Sequence, residues 1–525
     1  MLRRIVPLVR HIPLRALWLS ALLVLIVLVY TFFGSAGRRG EWPAYMAYYD
    51  LLAEGFRTGH LYLAEAPPPE LLEQLDPFNP RHGRWWMWDV SLYDGHYYLY
   101  WGPLPALLQA LVKSLLGIDR IIGDQYLVFG FFALATVFGG LLIEHMARRL
   151  FPTVSALSIA LAVLAFGLAN PVPHLVATAG VYQAAIAGGQ AGLMGGLLLA
   201  FTALLAQSER QRRWRLGAAG SLWALALASR VSLVPAIGLV ALLTLAVTAW
   251  PAPRATGEPR RDVRTSVRRG VLQALCLGAP LGLMVGLLLL YNQLRFDRWS
   301  EFGTGVQLTT MKFELSWLYW PVNAYSYALR AFTLSCEFPY VLQGVHQGAS
   351  ALPGWLPPPQ GYFITEPLVG FLQAVPCLWL VPVAVWAGVR AARQLRATEV
   401  AEAGASGAPP LWALARARLW CVGSFAVAGS VSGVMVMGLY IATMRYLADV
   451  TYGLVLLAVF AAFTLESAAR WRWQRWAAIA LFALLASATV GAGLLLGYQG
   501  YNEHFQRFNP RLAQKLSQTL SLCRH

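Results

Sequence analysis

The sequence predicts an all-α polytopic membrane protein, a single integral domain over 1–525 with about 11 transmembrane helices and two large outer loops. Three observations carry this reading. The 525 residues are 58% hydrophobic and only 13% charged, with a mean hydropathy of +0.53. That leaves too little polar surface for two or three soluble domains. Many apolar runs approach the ~20 residues that cross a hydrocarbon core about 30 Å thick. The net charge of +16 is nearly all arginine, and it lies in short clusters between those runs, as in cytoplasmic loops. No basic face is interleaved with a soluble fold, so no nucleic-acid partner is expected.

Taken in order, Arg3, Arg4, Arg10 and Arg15 precede the apolar run Ala16–Phe33. That run is long for a signal peptide and reads as an uncleaved first span with a cytoplasmic N-terminus. Residues 34–103 are then the first outer loop. The short apolar segment Pro103–Leu116 lies along or dips into the membrane interface. Spans follow at 125–145, 154–170 and 180–206, the last ending in ERQRRWR (209–215). Residues 216–250 read as two helices meeting near Ser229–Arg230–Val231, because both flanks are arginine-rich and so cytoplasmic. The loop 251–269 is cytoplasmic and rich in Pro, Gly and Arg. A span at 270–292 leads to the second outer loop, 293–364. The segment 366–389 returns to the cytoplasmic loop 390–418, which holds the low-complexity stretch AEAGASGAPP (401–410). The last spans are 419–441, 447–466 and 476–498, and the tail from Tyr501 lies outside. The expected setting is a bacterial inner membrane with a periplasmic C-terminus.

Charge inside the spans is scarce. Glu144, Arg148 and Glu466 fall near span ends. A charge at mid-membrane costs about 2.5–3.5 kcal/mol on insertion scales, and ion-coupled transporters usually keep several. The chain also shows no internal repeat of the kind many transporters carry. The chemistry is concentrated outside instead. Loop 34–103 holds Glu41, Asp50, Glu54, Glu65, Glu70, Glu73, Asp76, Asp89 and Asp94, with His60, His82 and His96.

General-base work needs a carboxylate, and an anionic leaving group needs cations. The candidate bases are Asp89, Asp50, Glu41 and Asp94. Asp89 follows the aromatic run WWMW (85–88). Asp94 begins an Asp-Gly pair, a hairpin signal, so a turn residue is its plainer reading. Asp50 and Glu54 stand i, i+4 on an amphipathic helix over 44–57, where a solvated face is the alternative. Glu41 is the nearest to the first span and could be an interfacial charge. For phosphate the candidates are Arg445, in TMRYLADV (443–450), and Arg230, in ASRVS (228–232). Both would be cations on the outer side, against the charge trend. A local alternative for Arg445 is a salt bridge to Asp449, four residues on. His96, Tyr97, Tyr98 and His60 are candidate substrate contacts. No cofactor is firmly expected. His60 and His96 could join Asp89 and Asp94 around a divalent cation, although no tight ligand motif is present. Cys276, Cys377 and Cys421 read as core residues, while a bridge between Cys336 and Cys523 is open.

AYYDLLAEGFRTGHLYL (47–63), followed by a proline-rich turn, resembles the first-loop pattern of the GT-C superfamily of integral membrane glycosyltransferases. WDVSLYDGHYYLYWGPLPALL (88–108), YNQLRFDRWSEFG (291–303) and MRYLADV (444–450) are similar to a bacterial branch of that superfamily. The resemblance implies hexosyl or pentosyl transfer from a polyprenyl-phosphate donor at the outer, periplasmic face of the cell envelope. The acceptor would be a lipid, a glycan or a protein, and the lipid bilayer is the other partner. The acidic pair that familiar members place soon after the first span is missing: GRRGEWPAYMAYYD (37–50) offers only Glu41 and Asp50. The competing readings are a non-catalytic scaffold of the same fold, and a lipid or polysaccharide transporter.

Overall fold

The computed structural model describes residues 14–250, 263–310, 314–343, 352–364, 367–398, 411–500 and 503–523. The expected arginine cluster Arg3, Arg4 and Arg10, residues 251–262 of the first cytoplasmic loop and the stretch 401–410 lie outside the described residues. The chain is helical almost throughout, and the few strands are two or three residues long.

Among the described residues, eight helices are long and apolar enough to cross a membrane. The long helices are α1 (Leu14–Gly34), α4 (Gln125–Leu150), α6 (Val181–Leu204), α8 (Val234–Ala249), α9 (Val263–Phe296), α11 (Leu411–Met437), α12 (Ala448–Ala468) and α13 (Arg472–Gln499). Three expected spans differ. The run 154–170 gives α5 (Ala156–Leu168), only 13 residues long. The segment 216–229 is part of α7 (Glu209–Ser229), whose first two turns carry four arginines. The segment 366–389 is not one helix. It is a short turn of helix at Phe371–Ala374, a 3₁₀ turn at Pro376–Leu380, then α10 (Val381–Thr398). Pro376 and Pro382 explain the break, since each lacks an N–H and clashes with the preceding turn. The two-helix reading of 216–250 matches the structure: α7 stops at Ser229, Arg230 is extended, and α8 follows a single 3₁₀ turn.

The buried centre of the bundle is α6 and α12, wrapped by α4, α7 and α11. The first long loop supplies a layer above it. There, α2 (Tyr48–Arg57) ends in a Schellman turn at Gly59, φ +83°, with His60 N–H donating to Gly55 O at 2.8 Å. The hairpin β1 (Ser91–Tyr93) and β2 (His96–Tyr98) turns at Asp94 and Gly95, both with positive φ. Next, α3 (Leu104–Leu116) packs on α2 and turns a row of leucines outward, Leu107, Leu111, Leu115 and Leu116 among them. That suits the interfacial position expected for 103–116.

A buried ion cluster locks α2 to α3. Lys113 Nζ donates to Asp50 Oδ1 at 2.8 Å and reaches Glu54 Oε1 at 2.5 Å, and Gln109 Nε2 donates to Asp50 Oδ1 at 2.8 Å. Burial pulls the Lys113 ammonium down, but its bonds to Asp50 and Glu54 outweigh this and hold it above its usual range.

The second long loop leans on the first. Leu308 N–H donates to Val90 O at 2.8 Å, and Ser91 Oγ–H donates to Gly303 O at 2.8 Å. The chain end straps both loops to the bundle through α14 (His504–Phe508) and α15 (Pro510–Leu520). His504 Nε2–H donates to Phe33 O at 2.9 Å, and Tyr45 Oη–H donates to His504 Nδ1 at 2.7 Å. Burial pushes the His504 imidazole down to about 4, so it stays neutral in this role. A disulfide joins Cys336 to Cys523 and ties the strap to the second loop.

Two outcomes follow from these contacts. Lys113→Ala leaves two acids facing each other, one of them buried, and is expected to cost about 3–5 kcal/mol, read as a lowered melting temperature in detergent. Asp94→Asn, at an exposed turn, is expected to leave that temperature unchanged. Cys523→Ser releases a cross-link over a long loop, expected to cost about 2–4 kcal/mol. The strap should then be cut faster in limited proteolysis around residue 503.

Candidate active site

A cavity of about 660 Å³ opens where the loop-side helix ends meet the two long loops. Among the described residues, Asp89, Arg230, Arg445 and Asp449 are its charged lining residues. Three of the sequence candidates, Asp89, Arg445 and Arg230, therefore share one chamber.

Asp89 is half-buried and sits just before β1 with φ +60°. Few non-glycine residues take this conformation; Asp is among those that tolerate it. Its flanks hold it there. Tyr48 Oη–H donates to Trp88 O at 3.0 Å, and Leu308 N–H donates to Val90 O at 2.8 Å. The carboxylate charge is felt by tyrosines from separate elements. Burial, with the charges of Asp89 and Asp124, pushes the Tyr48 hydroxyl up to about 12. Burial, Tyr182 and Asp89 push Tyr100 well above its usual range, and burial, Tyr446 and Asp89 raise Tyr440.

The loop end that carries Tyr100 and Trp101 is seated by Gly102. A Cβ there would lie 2.0 Å from the carbonyl oxygen of Ala228, so only glycine lets the loop touch the end of α7. Just beyond that contact is Arg230. Its Nε donates to Asp449 Oδ2 at 2.9 Å, and its Nη2 also reaches that oxygen. Gln190 Nε2 donates to Asp449 Oδ1 at 3.3 Å. Asp449 is thus the counter-ion of Arg230, not of Arg445. The reason is local: Arg445 lies in a 3₁₀ turn, Met444–Leu447, ahead of α12, so helical i, i+4 spacing does not apply. The Arg445 guanidinium instead lies over the Tyr182 ring, 4.0 Å from its centroid.

The remaining candidates are elsewhere. Asp50 is buried under Lys113, and Glu41 is exposed. Asp94 occupies the hairpin turn and is exposed. His60, Tyr62 and His96 form a stacked column on the outside of the first loop, with ring centroids 4.6 Å and 4.1 Å apart. Tyr97 and Tyr98 are buried in the hairpin, and Tyr98 packs on Phe296. None of these lines the cavity. Among the described residues no group of three or more His, Cys, Asp or Glu comes together, so His60, His96, Asp89 and Asp94 are not one ligand set.

Sequence reasoning passed over Tyr100, Tyr182 and Gln307. The one available signal was VYQ (181–183), a polar aromatic pair opening an otherwise glycine- and alanine-rich span.

Comparison with known proteins comes from structure. No family model and no curated protein sequence matches the chain. An oligosaccharyltransferase from Archaeoglobus fulgidus, tethered with an acceptor peptide, is 12% identical at a TM-score of 0.46 over 97% of this chain and 59% of its own. ArnT from Cupriavidus metallidurans, bound to undecaprenyl phosphate, is 12% identical at a TM-score of 0.41 over 95% and 81%. AglB from Archaeoglobus fulgidus, in complex with an inhibitory peptide and a dolichol-phosphate, is 14% identical at a TM-score of 0.43 over 93% and 56%. The chain thus spans 59% of the length of the first of these.

One buried acid beside the cavity titrates near neutrality. Asp124 precedes α4; its N–H donates to the carbonyl of the cavity residue Met46, and its Oδ1 accepts from Tyr49 N–H at 3.2 Å. Burial pushes its carboxyl up to about 7, against the N–H bonds of Tyr49 and Tyr48, and Asp50 pushes the same way as burial. The folded state holds this proton more tightly than the unfolded chain. Its contribution is therefore full below the ordinary value of 3.8 and is lost as the pH rises to about 7. The melting temperature in detergent is expected to fall between pH 5 and pH 7.5, and Asp124→Asn should flatten that slope.

Proposed function

We propose that the chain is a membrane glycosyltransferase that moves a sugar from a polyprenyl-phosphate donor to an acceptor at the outer face of a bacterial inner membrane. The observation that carries the reading is the joint presence of Asp89 and Arg445 in one cavity. The cavity lining includes the apolar side chains of Leu315, Met435, Val436 and Leu439. A second apolar cavity of about 190 Å³ shares Val436 and Tyr446 with it and runs between α11 and α12 along Gly433, Val450 and Leu454. This shape suits a ligand with a phosphate head and an isoprenoid tail.

In the proposed reaction Asp89 takes the proton of the acceptor hydroxyl as that oxygen attacks the anomeric carbon. The bond from that carbon to the phosphate oxygen breaks, and its electron pair leaves with the polyprenyl phosphate. Arg445 stabilises the added negative charge, aided by the N-terminus of α6 at Gly180, which also borders the cavity. Tyr45, Trp88, Trp101 and Tyr440 offer aromatic faces to a sugar. A single displacement of this kind inverts the anomeric centre. The disulfide at the loop face supports an oxidising compartment on that side.

The test is transfer from radiolabelled polyprenyl-phosphate sugars by the purified protein in nanodiscs, with a lipid extract as acceptor. Asp89→Asn is expected to lower kcat by about 10²–10⁴-fold with donor binding kept. Glu41→Gln is expected to change neither. Product that survives unchanged in Asp89→Asn would remove Asp89 as the base.

A further inference from the structure

A row of hydrogen bonds leads from the second loop to the Asp89 carboxylate. Gln307 Nε2 donates to the Tyr100 hydroxyl at 3.0 Å. Tyr100 Oη is 2.9 Å from Tyr182 Oη, and the Tyr182 hydroxyl is hydrogen-bonded to Asp89. All four residues line the cavity. They come from three parts of the chain: Asp89 and Tyr100 from the first loop, Tyr182 from the first turn of α6, and Gln307 from the second loop. The rings are steadied by Trp101, whose centroid is 3.9 Å from that of Tyr100 and which packs edge-on against Tyr182 at 4.6 Å. The backbone closes the circuit. Gln307 pairs as an antiparallel bridge with Ser91, two residues after Asp89.

The chemistry of the two ends sets the direction of the row. An amide nitrogen only donates, and an ionised carboxylate only accepts. Tyr182 has a single proton, and it goes to Asp89. At its contact with Tyr100, Tyr182 therefore accepts and Tyr100 donates, while the Tyr100 oxygen accepts from Gln307. Every bond then points the same way, and each polarises the next toward the anion. The clamps on Trp88 O and Val90 O fix the Asp89 backbone. They leave the two side-chain torsions of Asp89 to be set. A bond to one carboxylate oxygen sets both and leaves the other oxygen for a second partner.

We propose that Tyr182 is a positioning residue for the general base: its hydroxyl holds one oxygen of Asp89 and turns the other toward the acceptor hydroxyl. Gln307, through Tyr100, makes this alignment depend on the seating of the second loop. The proposal rests on the reading of Asp89 as the base. Its consequence is that pairing of the two loops at Ser91 and Gln307 sets the base and its aligning row together, so the second loop tunes the rate of transfer through Tyr100.

The experiment measures kcat and donor KM for transfer from radiolabelled polyprenyl-phosphate sugars by the purified full chain in nanodiscs, each variant first matched to wild type in melting temperature. Tyr182→Phe keeps the ring on which the Arg445 guanidinium lies and removes only the hydroxyl. It is expected to lower kcat about tenfold and to leave donor KM within about twofold. Gln307→Ala is expected to lower kcat about threefold. Gln307→Glu keeps the shape but loses the donor when ionised, and should do no better than Gln307→Ala. Added to Asp89→Asn, Tyr182→Phe should change the residual rate by no more than about twofold, because it acts through the missing base. A wild-type kcat in Tyr182→Phe overturns the positioning role. A raised KM with kcat intact also overturns it, since the hydroxyl would then meet the donor. An equal fall in kcat with and without Asp89 does the same. A wild-type rate in Gln307→Glu overturns the part given to the second loop. If Asp89→Asn transfers as wild type does, or wild type transfers nothing, the reading of Asp89 as the base fails, and this proposal with it. The earlier failures leave that reading standing.

Discussion

The pairing of Arg230 with Asp449 is the contact on which the cavity depends. Arg230 stands at the break between α7 and α8, and Asp449 in the first turn of α12; both side chains are largely buried. Neither is tolerable there alone. A lone buried charge costs several kcal/mol even after relaxation, and removing one partner of such a pair typically costs about 3–5 kcal/mol. With Gln190 of α6 on the other carboxylate oxygen, the pair joins three helices at one level. The α7–α8 break leaves backbone groups that a continuous helix would satisfy, and Arg230, Val231 and Ser232 at that break line the cavity. The cavity is the place where that break is allowed.

The loops are built onto this floor. Gly102 lets the first loop rest on Ala228 at the end of α7, two residues before Arg230. The second loop adds an edge to the first through Val90 and Ser91. The C-terminal strap then ties both to the end of α1 through His504 and Asn509. Order in the roof descends from order in the floor, so a change at the helix ends propagates to residues such as Asp89 that belong to the roof.

Local features were legible in the sequence because their causes are local. The Asp94–Gly95 turn, the helix over Tyr48–Arg57 and the break at Arg230 each follow from neighbouring residues: a pair that tolerates positive φ, an amphipathic period and flanking arginines. Arg445 and Arg230 stood out because cations on the loop side run against the charge trend, and Asp89 because of the aromatic run before it. What could not be read was partnership at long range. Asp50 and Glu54 looked like one solvated helix face until Lys113, 63 positions away from Asp50, came to lie on them. Asp449 looked like the partner of Arg445 until the fold brought Arg230 to it across 219 positions. Gln307 carries no charge and no motif, and Tyr182 is marked only by the polar aromatic pair that opens its span.

These placements bear on the missing acidic pair near the first span. In the region 37–50 Glu41 is exposed, and Asp50 is bound to Lys113 and Gln109. Both are accounted for without chemistry. In the cavity Asp449 is held by Arg230 and Gln190, and the other carboxylate among the described lining residues is Asp89, which is hydrogen-bonded to Tyr182. Its backbone is strained, and the strain is sustained by bonds to the carbonyls on both sides. Strain of this sort costs roughly 1–3 kcal/mol and persists where the surroundings over-determine it, most often at functional sites. A turn residue would not need two separate elements to hold it in place. A side chain that must meet a cation anchored on another element would, because the first loop carries Asp89 while the turn before α12 carries Arg445. The two can act on one substrate only when the loop is seated, and the clamps around Asp89 are the contacts that seat it.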